Sequence, residues 1–150
     1  MKFITKIYVT IFGIGFFPVA SGTFSSIVTI LIWLFIVNFY SIFYFYLLFL
    51  VIFISSFFFV KLYLKYQKKA DPSEVVVDEF LGQSIPLLFI LEIILIEIII
   101  AFAVFRLFDI YKIFPVDKAE NMPGSLGVIL DDIVAGIYAL IFVIMYRILT

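Results

Sequence analysis

The chain has 150 residues, 66% of them hydrophobic and 14% charged, with a mean hydropathy of +1.30. A soluble domain is nearer half apolar and about a quarter charged, and one core of this size cannot conceal so much apolar surface. Lipid must therefore be its solvent, and residues 1–150 are expected to form a single membrane-embedded domain. The net charge is only −1, but residues 1–70 hold six lysines and no acid, whereas residues 71–150 hold all eleven acids. Segregation this complete favours an acidic site over a chance placement of loops.

In chain order, residues 3–12 suit a short interfacial helix. Lys2 and Lys6 make a basic start, but no small-residue cleavage site follows, so a removed signal peptide is not expected. The run Gly13, Gly15, Pro18, Ser21, Gly22, Thr23 is a loop of turn formers and capping residues. Residues 22–38 can form a first span and 42–60 a second, with a turn at Asn38–Ser41. As one helix, 22–60 would be about 58 Å long, roughly twice the hydrocarbon thickness. Lys61, Lys65, Lys68 and Lys69 follow, and with Lys2 and Lys6 they place both ends of this hairpin in the cytoplasm; they also suit contact with anionic headgroups.

Asp71–Pro72 reads as a helix start, leading through Asp78–Glu79 into the apolar run 80–105. A single helix over that run would be about 39 Å long and would carry basic Arg106, Lys112 and Lys118 across the bilayer. It would also leave Glu92 and Glu97 in lipid. A re-entrant hairpin turning near Glu92–Glu97 removes both difficulties; a tilted span with both acids facing other helices is the alternative. The last span is expected at Ile133–Leu149, with Arg147 near its end. The expected class is all-α: a multihelical integral membrane protein of about five to seven helices.

Four constellations could carry chemistry. Asp78–Glu79, at the water end of an apolar helix, suit Mg²⁺, a hard ion that takes one or two carboxylates with water and phosphate oxygens. In FRLFDIYK, Arg106, Asp109 and Lys112 recur every three residues and form a polar helical stripe able to hold phosphate and metal, or a local ion pair with a snorkelling lysine. In PGSLGVILDDIVAG, Asp131–Asp132 enter an apolar helix, an expensive place without cations, and Gly136 suits close helix packing. GIGFFPVASGTFSS offers backbone N–H groups at a helix start, around Gly22 and Thr23, for phosphate; taken alone, a tight turn before a span is the plainer reading. Asp117, Lys118 and Glu120 read as a solvated loop. With neither histidine nor cysteine, no phosphohistidine or cysteinyl-phosphate chemistry is available. Any phosphate chemistry falls to carboxylates, a divalent metal and Arg or Lys.

Together, FGIGFFPVASGTFSS, VVVDEFLGQ and FRLFDIYKIFP…PGSLGVILDDIVAGIYA resemble the phosphatidylglycerophosphatase A family, in the same order and at similar separations over most of residues 12–140. The resemblance implies Mg²⁺-dependent hydrolysis of phosphatidylglycerophosphate to phosphatidylglycerol at the bacterial cytoplasmic membrane, with no nucleic-acid partner. It carries over Asp78, Glu79, Arg106, Asp109, Lys112, Asp131 and Asp132 as catalytic residues. The five acids among them would bind metal, and Arg106, Lys112, Gly22 and Thr23 phosphate. Gly13, Gly15, Pro18, Gly82, Pro115, Gly124, Gly127 and Gly136 match its backbone positions. The departures are Ser21 for a usual Pro, Ser25 for Gly, Ile113 for Pro, Val77 for Trp and Ser125 for Gly; none removes a charged group. The other readings are a non-enzymatic membrane protein, such as a small cation carrier or complex subunit, which should depend on Glu92 and Glu97, and a phosphatase of another membrane lipid phosphate.

Overall fold

The computed structural model describes residues 2–67 and 72–150; Lys68, Lys69 and Asp71 lie outside them. Among the described residues there are seven α-helices and one 3-10 turn, with no strand. The helices are α1 (Lys2–Val9), α2 (Ser21–Phe39), α3 (Ile42–Gln67), α4 (Val77–Leu87), α5 (Leu95–Tyr111), α6 (Val116–Glu120) and α7 (Ser125–Leu149). Three of them, α2, α3 and α7, are long and apolar enough to cross a membrane.

Helix α1 lies against α3, where the Tyr8 hydroxyl donates to the Ile52 carbonyl at 3.1 Å and sits 2.5 Å from Ser55 Oγ. Ala20, in the left-handed region at φ 51°, turns the chain into α2. The break between α2 and α3 falls where the sequence places it: Ser41 Oγ accepts the Phe43 N–H, as an N-cap does. Helix α3 runs on to Gln67, taking Lys61 and Lys65 with it.

The apolar run 80–105 is two helices. Pro86 has no N–H to give the Gly82 carbonyl one turn earlier, and α4 ends at Leu87. Residues 88–94 then reverse the chain into α5. The run forms a helical hairpin rather than one helix, although the turn precedes Glu97, which sits in the first turn of α5. The bundle is built around α4, whose residues are all buried except the partly exposed Glu79; it packs on α2, α3, α5 and, most extensively, α7. Glycines permit that last approach: a Cβ on Gly136 would run into the Gly82 carbonyl, and one on Gly82 into the Phe105 ring and the Asp132 carbonyl.

Three boundaries differ from the sequence reading. No helix starts at Pro72: the stretch Pro72–Val76 is a turn, and α4 begins at Val77, because side chains and backbone from elsewhere fix this segment. The Val76 N–H donates to the Val9 carbonyl at 2.9 Å, Ser25 Oγ to the Val76 carbonyl at 2.9 Å, and Ser21 Oγ to the Ser73 carbonyl at 3.2 Å. The last helix starts at Ser125, so Asp131 and Asp132 lie in its second turn rather than at its mouth. The stretch around Asp117, Lys118 and Glu120 is the short helix α6, not a loop.

Candidate active site

Three helices begin at the same end of the bundle. Ser21 opens α2, Asp78 and Glu79 occupy the first turn of α4, and Asp131 and Asp132 the second turn of α7. The macrodipole of α4 favours Asp78 and Glu79 in its first turn; Asp131 and Asp132 lie one turn deeper in α7. A cavity of about 210 Å³ lies there, lined by Ser21, Ser73, Asp78, Glu79, Asp109, Lys112, Asp131 and Asp132 among others. Five of the seven acidic or basic residues expected from the sequence are thus carboxylates on one basin, and Lys112 is the sixth.

The carboxylates divide into two groups. Asp78, Glu79 and Asp132 each offer an oxygen, all within 4.8 Å of one another, a set able to hold a metal ion. The close crossing of α4 on α7 at Gly82 and Gly136 is what brings Asp132 to the other two. Asp109 and Asp131 instead face cations. Asp109 lies 2.6 Å from Arg106 Nη1, one turn back on α5, an ion pair by distance but not an aligned hydrogen bond. Asp131 accepts a hydrogen bond from Lys112 Nζ, and Glu120 stands 3.5 Å from the same ammonium. In both acid pairs the first residue also accepts the backbone N–H of the second: Glu79 N to Asp78 Oδ1 at 3.1 Å and Asp132 N to Asp131 Oδ1 at 2.9 Å. This fixes the direction of each leading carboxylate.

Lys112 is not on the helical stripe that its spacing suggests. It caps α5 in the left-handed conformation, φ 48°, which swings it toward α7. Burial alone would lower its pKa. The hydrogen bond to Asp131 and the charges of Asp131, Asp132 and Glu120 outweigh this and hold the ammonium above the ordinary lysine value. Its stripe partners Arg106 and Asp109 stay together as an i,i+3 pair.

Of the loop residues, Gly22 lies against the site: a Cβ there would overlap the Glu79 carboxylate and come within 3.2 Å of Arg106 Nη1. Gly22 and Thr23 do not line the cavity, however; Ser21 does. Sequence reasoning missed Ser21, Ser73 and Glu120. The first two are neutral residues in a turn-rich loop and carry no signal of their own. Glu120 follows a Pro-containing break that hides its distance from Lys112.

Glu97 is buried and bound by Arg147 through two hydrogen bonds, Nε to Oε1 at 2.6 Å and Nη2 to Oε2 at 2.5 Å. Arg147 Nη1 also donates to the Phe89 carbonyl at 2.9 Å. Glu92 is exposed.

An all-helical bundle with five carboxylates and Lys112 on one basin, and Arg106 paired to Asp109 at its edge, is suited to a metal-assisted reaction of a phosphate, and the comparisons give the class and its family. The model of the phosphatidylglycerophosphatase A family matches residues 7–147, and the chain belongs to that family. A protein of Bacteroides thetaiotaomicron, named as a candidate phosphatidylinositol-3-phosphatase, is 36% identical over 97% of this chain and 95% of its own length. The phosphatidylglycerophosphatase A of Haemophilus influenzae is 42% identical over 49% of this chain and 45% of its own. That of Escherichia coli is 28% identical over 84% and 73%. No solved structure matches the chain significantly. The protein is a membrane lipid phosphatase.

Proposed function

We propose that the protein removes the terminal phosphate of phosphatidylglycerophosphate, giving phosphatidylglycerol and phosphate, with Mg²⁺, at the cytoplasmic face of a bacterial inner membrane. The observation that carries this reading is the group Asp78, Glu79 and Asp132 beside Arg106 and Lys112. The donor set fits Mg²⁺. It is all carboxylate oxygen, without the nitrogen or sulfur that softer metals prefer, and three acids this close repel one another unless a cation stands between them. Asp78, Glu79 and Asp132 would hold the ion, with Asp109 and Asp131 beside them. Bound there, Mg²⁺ would polarise a phosphoryl oxygen and acidify a water.

The chain's own groups do the rest. Arg106 and Lys112 neutralise charge that spreads over the phosphoryl oxygens as the phosphorus–oxygen bond loosens. Asp131 and Glu120 hold the Lys112 ammonium, and Asp109 the Arg106 guanidinium. Asp78 takes the proton of the attacking water. The water oxygen joins phosphorus, the bond to the glycerol oxygen breaks, and that oxygen leaves as the alcohol after taking a proton from solvent, to which Asp78 returns its own. Only the headgroup must reach the basin, because the acyl chains can stay in lipid between the spans. Lys2, Lys6, Lys61 and Lys65 support a cytoplasmic setting.

A second headgroup is worth a test of its own, because the Bacteroides relative matches nearly the whole chain under a phosphoinositide name. The experiment is phosphate release by the purified, detergent-solubilised protein from phosphatidylglycerophosphate, phosphatidic acid and phosphatidylinositol 3-phosphate, each with Mg²⁺ and with EDTA. Mg²⁺-dependent release fastest from the first, and lost in Asp78→Asn, is the expected result. Faster release from the phosphoinositide would move the assignment to that lipid. No release from any of the three by a folded sample would defeat the reading.

A further inference from the structure

Gln83 and Glu97 are the two large polar side chains withdrawn below 2% exposure among the described residues. Glu97 has Arg147. Gln83 has nothing: neither Oε1 nor Nε2 has a hydrogen-bond partner. A buried amide left in this condition is costly, and such orphans in a folded protein call for a specific explanation.

The neighbouring orphans supply one. Glu79 Oε2 and Arg106 Nε are also buried without a hydrogen-bond partner, and Arg106 Nη1 has only its unaligned ion pair with Asp109. Gln83 follows Glu79 by four residues on α4, one turn along the same face. The Glu79 carboxylate and the Arg106 guanidinium both lie against Gly22. The unmade bonds are complementary in kind. Glu79 needs a donor and Gln83 Nε2 is one; Arg106 needs an acceptor and Gln83 Oε1 is one. The tight crossing at Gly82 keeps α4 from rotating to present the amide elsewhere.

We propose that Gln83 is a positioning residue whose amide links Glu79 to Arg106, donating to the carboxylate and accepting from the guanidinium, directly or through one bridging water. A neutral link suits this place chemically. A direct Glu79–Arg106 ion pair would satisfy both groups at the expense of the cation and the phosphate they are proposed to serve. An amide satisfies both while leaving each charge free to act. The inference rests on the function proposed above.

The test compares the full-length protein with Gln83→Met, which keeps length and helix propensity but removes both hydrogen-bonding atoms. The expected result is a folded variant whose kcat on phosphatidylglycerophosphate falls roughly ten- to hundredfold, the size of losing hydrogen bonds to charged groups. KM should stay close to wild type, and more Mg²⁺ should be needed for half-activation. Without substrate, Mg²⁺ should raise the melting temperature of wild type more than that of the variant. A folded Gln83→Met protein with wild-type kcat overturns the inference. Should that variant fail to fold, Gln83→Asn, whose amide is drawn back by one methylene, carries the test: impaired turnover supports the link and full turnover defeats it. If wild type releases no phosphate, the proposed function fails instead, and the Mg²⁺-induced melting shift alone decides for or against the role of Gln83.

Discussion

The two ends of the bundle hold charge in opposite ways. At one end, Asp78, Glu79, Asp109, Asp131, Asp132 and Glu120 gather around Arg106 and Lys112, leaving acid in excess. At the other, the buried Glu97 meets Arg147 alone, with two hydrogen bonds and a third to a backbone carbonyl, while the second acid there, Glu92, stands exposed to solvent. A balanced pair is complete in itself and fastens the α4–α5 hairpin to α7. An unbalanced cluster is complete only with something added. Stoichiometry thus separates structural from functional charge where burial does not, since Glu97 is as buried as any acid in the basin.

The sharpest way to break the comparison is to neutralise an acid at the unbalanced end. Asp78→Asn or Asp132→Asn should lower phosphate release roughly a thousandfold, while circular dichroism and gel filtration show a folded protein, because removing one of three crowded carboxylates relieves repulsion. Full activity in either would remove that residue from the site. Next comes Gly22→Ala. Its methyl group must displace the Glu79 carboxylate and crowd Arg106, so activity should drop roughly tenfold or more while stability falls by about 1–3 kcal/mol.

At the balanced end the prediction reverses. Arg147→Met leaves Glu97 buried without its partner and should destabilise the protein by about 2–3 kcal/mol, somewhat less than for a fully buried pair because Arg147 is partly exposed. The double variant Glu97→Gln/Arg147→Met should recover much of that loss in a thermal-denaturation assay, with turnover per folded molecule unchanged. A cation carrier would instead need Glu97, so a functional loss in the folded double variant would revive that reading.

The smallest effect concerns pH. Lys112 is held above its ordinary value of 10.5 in the fold. A raised pKa means the stabilisation is fully present below the unfolded value and is lost only as pH rises through the higher, folded one. Neither stability nor activity should therefore show a loss from Lys112 up to about pH 10, and Lys112→Met should leave the shape of any alkaline limb in that range unchanged while lowering its height.

Much of this was legible in the sequence, and the limits have physical causes. The first hairpin could be read because the uncharged stretch from 22 to 60, as one helix, exceeds any bilayer and Ser41 is a good cap. The α4–α5 break was readable from the misplaced charges of Glu92, Glu97 and Arg106, but its position was set by Pro86, well before the first of those charges. The acids of the basin were legible as doublets in motifs. Their division into a cluster of three and two cation-bound members was not, because it depends on the left-handed turn at Lys112 and on the crossing of Gly82 with Gly136. Gln83 escaped notice because an amide in an apolar helix carries no charge to betray it.

The turn from Pro72 to Val76 is tied at both ends of its short length, to Ser21 through Ser73 and to Val9 and Ser25 through Val76. Two of those ties come from the side chains of Ser21 and Ser25 at the start of α2. Registration of the acidic doublet is thus dictated from the first helices by way of three backbone groups. An insertion scan should find a sharp edge: one glycine added after Ser73 would slip Val76 off its partners and turn Asp78 out of the basin, whereas the same glycine before Pro72 would leave every one of those ties in place.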